Sequence, residues 1–226
     1  MTVWLGARWG AQRSLGVGPF LVWVFSLLMV GMVAVVERRL NPVVATDNAL
    51  LGAVGGLAVP LLAYGCVARI TGPAQREAME GAARYGADRR IWLIGCVVMV
   101  GTIFAVAAAV LAALTVVAAG ASGVLPLAIE LYRSSAITAL AGAAYVALFL
   151  CGASVGRRGW LRPVLLVLDW IVGGATTAVA LPFPRGQLRA LLGGEPVLGL
   201  DQGWAWVVLW GLAIAYTALA VARVPR

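Results

Sequence analysis

The chain has 226 residues, 62% of them hydrophobic and 12% charged, with mean hydropathy +0.97 and a formal net charge of +8. Ordinary soluble domains are roughly 45–50% apolar and about 25% charged, so a water-soluble core does not account for this composition. Lysine and histidine are absent, which removes a Walker A phosphate loop, a histidine base and a histidine metal site from this chain.

Six nearly uncharged runs follow in order: 14–36, 48–68, 91–129, 134–156, 163–184 with one interruption at Asp169, and 202–222. A helix needs roughly 20 apolar residues to cross a ~30 Å hydrocarbon core, so five runs hold one span each. The third is too long. It is expected to leave the membrane near Gly120, Ser122, Gly123 and Pro126, with its remainder lying at the far surface. The expected fold is all-α and integral to the membrane, a single domain over 1–226. Its six transmembrane helices lie at roughly 15–36, 48–68, 91–118, 134–155, 161–181 and 203–222.

Before the first span, Trp4, Leu5 and Trp9 stand among arginines and glycines, a composition suited to a short segment on the inner leaflet. The first run exceeds the roughly 7–15 apolar residues of a leader peptide and is read as a retained span. Arginine placement orients the spans. Arg8, Arg13, Arg69, Arg76, Arg84, Arg89, Arg90, Arg157, Arg158, Arg162, Arg223 and Arg226 fall on one side, and only Arg38, Arg39, Arg133, Arg185 and Arg189 on the other. The positive-inside rule puts both termini in the cytoplasm and explains the basic charge without nucleic acid. Trp4, Trp9, Trp92 and Trp160 then mark the inner boundary, and Trp204 and Trp206 the outer one, as interfacial belts do.

The one sizeable cytoplasmic segment, 69–90, is expected to form a helix over 73–90 that starts near Pro73. Ala78, Met79, Ala82 and Ala83 share one face; Arg76, Glu77, Glu80 and Arg84 share the charged one, with Glu80 and Arg84 at the supportive i, i+4 spacing. Such a helix rests either on lipid headgroups or on another protein. Between the fifth and sixth spans, 182–202 is rich in proline and glycine and too short to cross, so short helices dipping into the outer leaflet are expected.

Asp169 is the single acid deep in an expected span, where a carboxylate costs at least about 2.5 kcal/mol. At helical spacing it shares a stripe with Gly173, Thr176, Thr177 and Ala180. That stripe fits a translocation path or gate, and equally a packing carboxylate bonded to a neighbouring helix or to Arg162. Gly52 with Gly56, and Gly152 with Gly156, have the spacing of close helix contacts. Glu130 and Arg133 form either an exit gate or an exposed loop pair. Cys66, Cys96 and Cys151 stand singly inside spans and read as small hydrophobes.

This order of parts resembles the type 2 ATP-binding-cassette transporter permeases: inner-surface segment, two spans, charged cytoplasmic helix, three spans, outer re-entrant-like hairpin, last span. The stretch EAMEGAARYGADRRIWLIG at 77–95 is similar to the family's coupling-helix stretch, with Glu80 at the family's glutamate and Arg89 and Arg90 at its basic pair. Gly86 stands where that family's turn proline is common, and Glu77 where its small glycine is common. The stretch 140–159, ending VGRRG, is similar to the family's fourth span.

The resemblance implies a permease subunit of an ATP-driven exporter in the cytoplasmic (plasma) membrane of a bacterium. It would dimerise with a second copy or homologue and bind a separate ATP-binding subunit that holds ATP and Mg²⁺. This chain would need no cofactor and catalyse nothing itself. Coupling would fall on Glu77, Glu80, Arg84, Asp88, Arg89 and Arg90. From another class, a noncatalytic membrane scaffold or assembly subunit also fits. An ion-coupled carrier using Asp169 fits less well, because one acid without a second carboxylate makes a thin proton relay.

Overall fold

The computed structural model describes residues 2–72, 75–84, 86–120, 126–156 and 159–224, and at 75–77, 81 and 82 the backbone alone. Among these residues there are nine helices and no strand: α1 (Thr2–Ser14), α2 (Val17–Leu40), α3 (Ala45–Thr71), α4 (Gln75–Arg84), α5 (Arg89–Ala119), α6 (Leu127–Ala153), α7 (Leu161–Ile171), α8 (Pro184–Leu191) and α9 (Gln202–Ala222). Five of them, α2, α3, α5, α6 and α9, are long and apolar enough to cross a membrane. Outward faces of α2 and α9 expose Phe20, Phe25, Leu28, Val207, Trp210 and Ile214. Apolar patches of that extent suit hydrocarbon or another protein, not water.

α6 is the central post. Tyr145, Leu148, Phe149 and Leu150 on it are fully buried, and α3, α5, α7, α8 and α9 all pack on it. The termini of these helices sort into two ends. At one, Arg13 donates to the carbonyl of Arg69 (3.2 Å), Trp9 meets Trp92 (6.2 Å between ring centres), Arg90 donates to the carbonyl of Val224 (3.2 Å), and Arg162 reaches Thr71 (2.9 Å). At the other, Thr46 donates to the carbonyl of Gly120 (2.5 Å) and Arg133 bonds Gln202. The first end therefore gathers Arg13, Arg69, Arg84, Arg89, Arg90, Arg162 and Arg223, as the charge distribution predicts. Arg157, Arg158 and Arg226, and the side chain of Arg76, lie outside the described residues.

Local chemistry sets the helix ends. Asp88 caps α5 by accepting from the backbone N–H of Arg90 (2.8 Å) and Ile91 (3.2 Å), and Asp201 caps α9 by accepting from that of Trp204 (3.0 Å). α5 ends at Gly120, whose φ of +83° suits a residue without a Cβ, so the chain leaves the helix where expected. Ser122 and Gly123 lie outside the described residues. Of the remainder, residues 127–129 are exposed and form the first turn of α6, with Glu130 buried behind them.

α1 does not simply rest on lipid. It packs along the first half of α5, burying Gly6, Gly10 and Ser14, spaced four apart. A Cβ on Gly6 would overlap the carbonyl oxygen of Trp92, and one on Gly95 that of Val3. This is backbone-to-backbone packing of the small-residue kind, at glycines outside the pairs expected from spacing. Gly52 has open space around it, Gly55 and Gly56 face α8, Gly152 meets the start of α7, and Gly156, with φ +75°, lies beyond the end of α6.

The expected fifth span is not one helix. α7 stops at Ile171, and the chain continues through turns, a short 3₁₀ turn at Ala178–Ala180, α8 and a second 3₁₀ turn at Val197–Gly199. Eleven residues in α7 rise only about 16 Å, half a bilayer. Gly173, Gly174, Thr176 and Thr177 are poor helix formers, and Pro182 and Pro184 cannot continue one. Yet α6 and α9 both start at the end marked by Arg133 and Gln202. The segment between them therefore carries the chain back from one end of the bundle to the other without a continuous helix.

Candidate functional site

The expected cytoplasmic helix is shorter than its sequence pattern. It runs from Gln75 to Arg84, with Pro73 outside the described residues, and Asp88, Arg89 and Arg90 belong to the start of α5. Met79 is buried (2% exposed), while Glu80 and Arg84 are exposed, so the described part of α4 presents the faces expected of it. The side chains of Glu77 and Ala82 lie outside the described residues. Gly72 (φ +61°) enters α4 and Gly86 (φ +71°) leaves it, so left-handed backbone that glycine accepts without a Cβ penalty flanks both ends. Of the six expected coupling residues, Glu80 and Arg84 point outward. Asp88 is exposed but occupied as a cap, Arg90 is half-buried against Val224, and Arg89 is half-buried.

Sequence spacing gave no sign of the clamp at the entry to this helix. Arg162, 9% exposed, donates to the hydroxyl of Thr71 (2.9 Å) and the carbonyl of Gly72 (3.4 Å), and its guanidinium lies over the Tyr64 ring at 5.3 Å. Thr71 in turn donates to the carbonyl of Val67 (2.8 Å). The first turn of α7 is thereby fixed to the last turn of α3, beside α4. The signal was present as an arginine opening an apolar helix, but its partners are 90 residues away in sequence.

Two turns further along the same face of α7 lies Asp169, fully buried. Its carboxylate accepts from the Tyr145 hydroxyl of α6 (2.8 Å) and from the backbone N–H of Arg185 at the start of α8 (3.4 Å). Its partner is thus a neighbouring helix rather than Arg162. The expected stripe is not formed, because the helix ends before it: Thr176 and Thr177 are exposed, and the Thr176 carbonyl accepts from the N–H of Leu198 (2.7 Å). Gly173 does come together with Asp169, through the turn, while Ala180 meets Gly186 of α8. A Cβ on Gly173 would lie 2.9 Å from the Asp169 carboxylate, and one on Gly186 3.3 Å from the Ala180 side chain.

Trp170 anchors the same knot to α3. Residues Ala49–Ala58 of α3 are π-helical, and Pro60 follows. The indole N–H of Trp170 donates to the carbonyl of Gly56 at 3.1 Å, in the turn before Pro60, whose ring nitrogen has no N–H to give. π-Helical turns are uncommon and cluster at functional sites.

At the far end, Glu130 is buried and Arg133 is bonded to Gln202, so the two are not simply an exposed loop pair. Together with Asp47 and Ser134 they line a cavity of about 330 Å³. The three cysteines are free, with Cys96 and Cys151 buried. No protein-family model matches this chain, and no curated protein matches it either.

Proposed function

We propose that this chain is the permease subunit of an ATP-driven exporter, crossing the membrane six times with the arginine-rich end in the cytoplasm. The observation that carries the reading is α4: a short helix between two candidate spans, with a positive-φ glycine on either side of it, Met79 anchored in the core and Glu80 and Arg84 presented outward. A separate ATP-binding subunit docks on that charged face and supplies the hydrolysis. A second copy of the permease, or a homologue, covers the exposed faces of α2 or α9.

Force applied to α4 has a defined route inward. α4 follows Thr71 and Gly72, which Arg162 grips, and Arg162 opens the helix whose other end holds Asp169, Trp170 and, through them, α6, α8 and the π-helical part of α3. Displacing α4 therefore shifts the broken crossing rather than a straight helix, and irregular backbone at membrane depth is tolerated where protein buries it or where it lines a water-filled cavity.

Co-purification with an ATPase tests the reading. Charge reversal at Glu80 and Arg84 is expected to release the ATPase, or to uncouple its hydrolysis from transport, while the protein stays inserted. Unchanged transport by the reversed variant, or a tag near residue 80 found outside the cell, overturns it.

A further inference from the structure

Between α8 and the π-helical part of α3 lies a cavity of about 330 Å³, lined by Gly52, Gly55, Gly174, Arg185, Leu188 and Arg189 among others. Its room comes from glycine: a Cβ on Gly52 would meet nothing within 4 Å. Its charge comes from two guanidiniums one helical turn apart. Backbone carbonyls aim both without neutralising either, since Arg185 donates to the Trp170 carbonyl (3.1 Å) and Arg189 to that of Gly174 (2.8 Å).

The carboxylates nearby meet that charge only in part, Asp169 acting on Arg185 from a distance and Glu195 on Arg189 at the rim. Glu195 lies 3.7 Å from Arg189 but is 75% exposed, a geometry in which ion pairs contribute little. Asp169 meets the backbone N–H of Arg185 and spends its other oxygen on Tyr145. Among the described residues, no carboxylate comes within 4.0 Å of the Arg185 guanidinium.

Depth makes this unusual. Trp170 donates to the carbonyl of Gly56, inside the π-helical part of α3, and Arg185 donates to the Trp170 carbonyl, so this guanidinium lies within the length of a candidate span and not beyond its end. Cations at that depth are costly, and they mark polar pathways or bound counter-charges. Gly52 is exposed and Leu188 closes the inner wall, so the cavity opens on the flank of the bundle, at the surface of a candidate span. A ligand entering from there carries an apolar tail, and two forked guanidiniums match the oxygens of a phosphoryl group.

We infer that the cavity bounded by Arg185 and Arg189 binds the phosphoryl headgroup of an anionic amphiphile that enters sideways from the lipid. The inference does not depend on transport or on an ATPase.

Native mass spectrometry of the detergent-purified full chain, with phosphatidylglycerol or phosphatidylcholine of identical acyl chains, tests it. Wild type is expected to retain phosphatidylglycerol about tenfold better than phosphatidylcholine, the scale of losing one charge-assisted contact. R185Q/R189Q is expected to abolish that preference, and R133Q, which removes an arginine elsewhere, to keep it. Where the double variant fails to fold, R189Q alone, at a 39% exposed side chain, is expected to reduce it. Equal retention of both lipids by wild type, or an undiminished preference in R185Q/R189Q or R189Q, overturns the site. Displacement of the lipid by an equal concentration of inorganic phosphate overturns the amphiphile as its ligand.

Discussion

Tyr145 donates its hydroxyl to the carboxylate of Asp169 at 2.8 Å, and neither residue has any exposed surface. The bond ties α6 to α7. A double-mutant cycle reads its strength. Asp169→Ala strands a buried hydroxyl and Tyr145→Phe strands a buried carboxylate, so each single variant is expected to lose about 1–3 kcal/mol. The double variant is expected to cost less than the sum, by about 0.6–1.7 kcal/mol, the scale of polar bonds between membrane helices. Unfolding in mixed micelles measures it, and strict additivity would show that the two residues act separately.

Run length and charge bias carried the helical class, the candidate spans and the sorting of arginines to one end, because hydrocarbon acts on composition and not on detail. The break after α7 was less legible. Residues 163–184 are apolar enough to span, and the signs against a helix, Gly173, Gly174, Thr176, Thr177 and two prolines, are each tolerated singly in membrane helices. Asp169 was legible as an acid needing a partner. That the partner is Tyr145 was not, since a tyrosine in an apolar run gives no sign of which helix it faces.

Trp170 and Pro60 make a second pair separated in sequence. If the indole replaces the N–H that proline lacks, Trp170→Phe is expected to destabilise the protein by about 1 kcal/mol in the native background. In Pro60→Ala, which adds a further N–H to this turn, the same change is expected to cost less. Equal penalties in both backgrounds would separate the two residues.

Docking of α1 depends on the missing side chains of Gly6 and Gly95. Gly6→Val or Gly95→Val places carbon where a carbonyl oxygen already sits and is expected to detach α1 while leaving α5 in place. Faster hydrogen exchange over residues 2–14, with α5 still protected, is the expected readout. Gly16→Val, at a position with only ordinary contacts, is the control.

Met79 and the charged face of α4 are expected to separate by kind of effect. Met79→Ala removes a buried side chain and is expected to cost about 2–5 kcal/mol if its site does not collapse. Glu80→Arg and Arg84→Glu alter exposed groups and are expected to leave the melting temperature nearly unchanged. Charge reversals that unfold the protein as strongly as Met79→Ala would mean that α4 holds the fold together, and that its charges are not there for a partner.

A broken crossing makes a prediction about sides. In a background with Cys66, Cys96 and Cys151 replaced, single cysteines at Arg84 and Arg223 report the arginine-rich end, and one at Arg133 the opposite end. Glu195 follows α8, beyond the turn that returns the chain toward Gln202, so a cysteine there is expected to share the labelling side of Arg133. A membrane-impermeant thiol reagent on oriented vesicles is expected to modify positions 133 and 195 from one face, and 84 and 223 from the other. Labelling of 195 together with 84 would leave α7 and α8 as a hairpin re-entering its own side. The number of crossings would then be five, and α9 could not run alongside α6 in the direction fixed by the bonds of Arg133 to Gln202 and Arg90 to Val224.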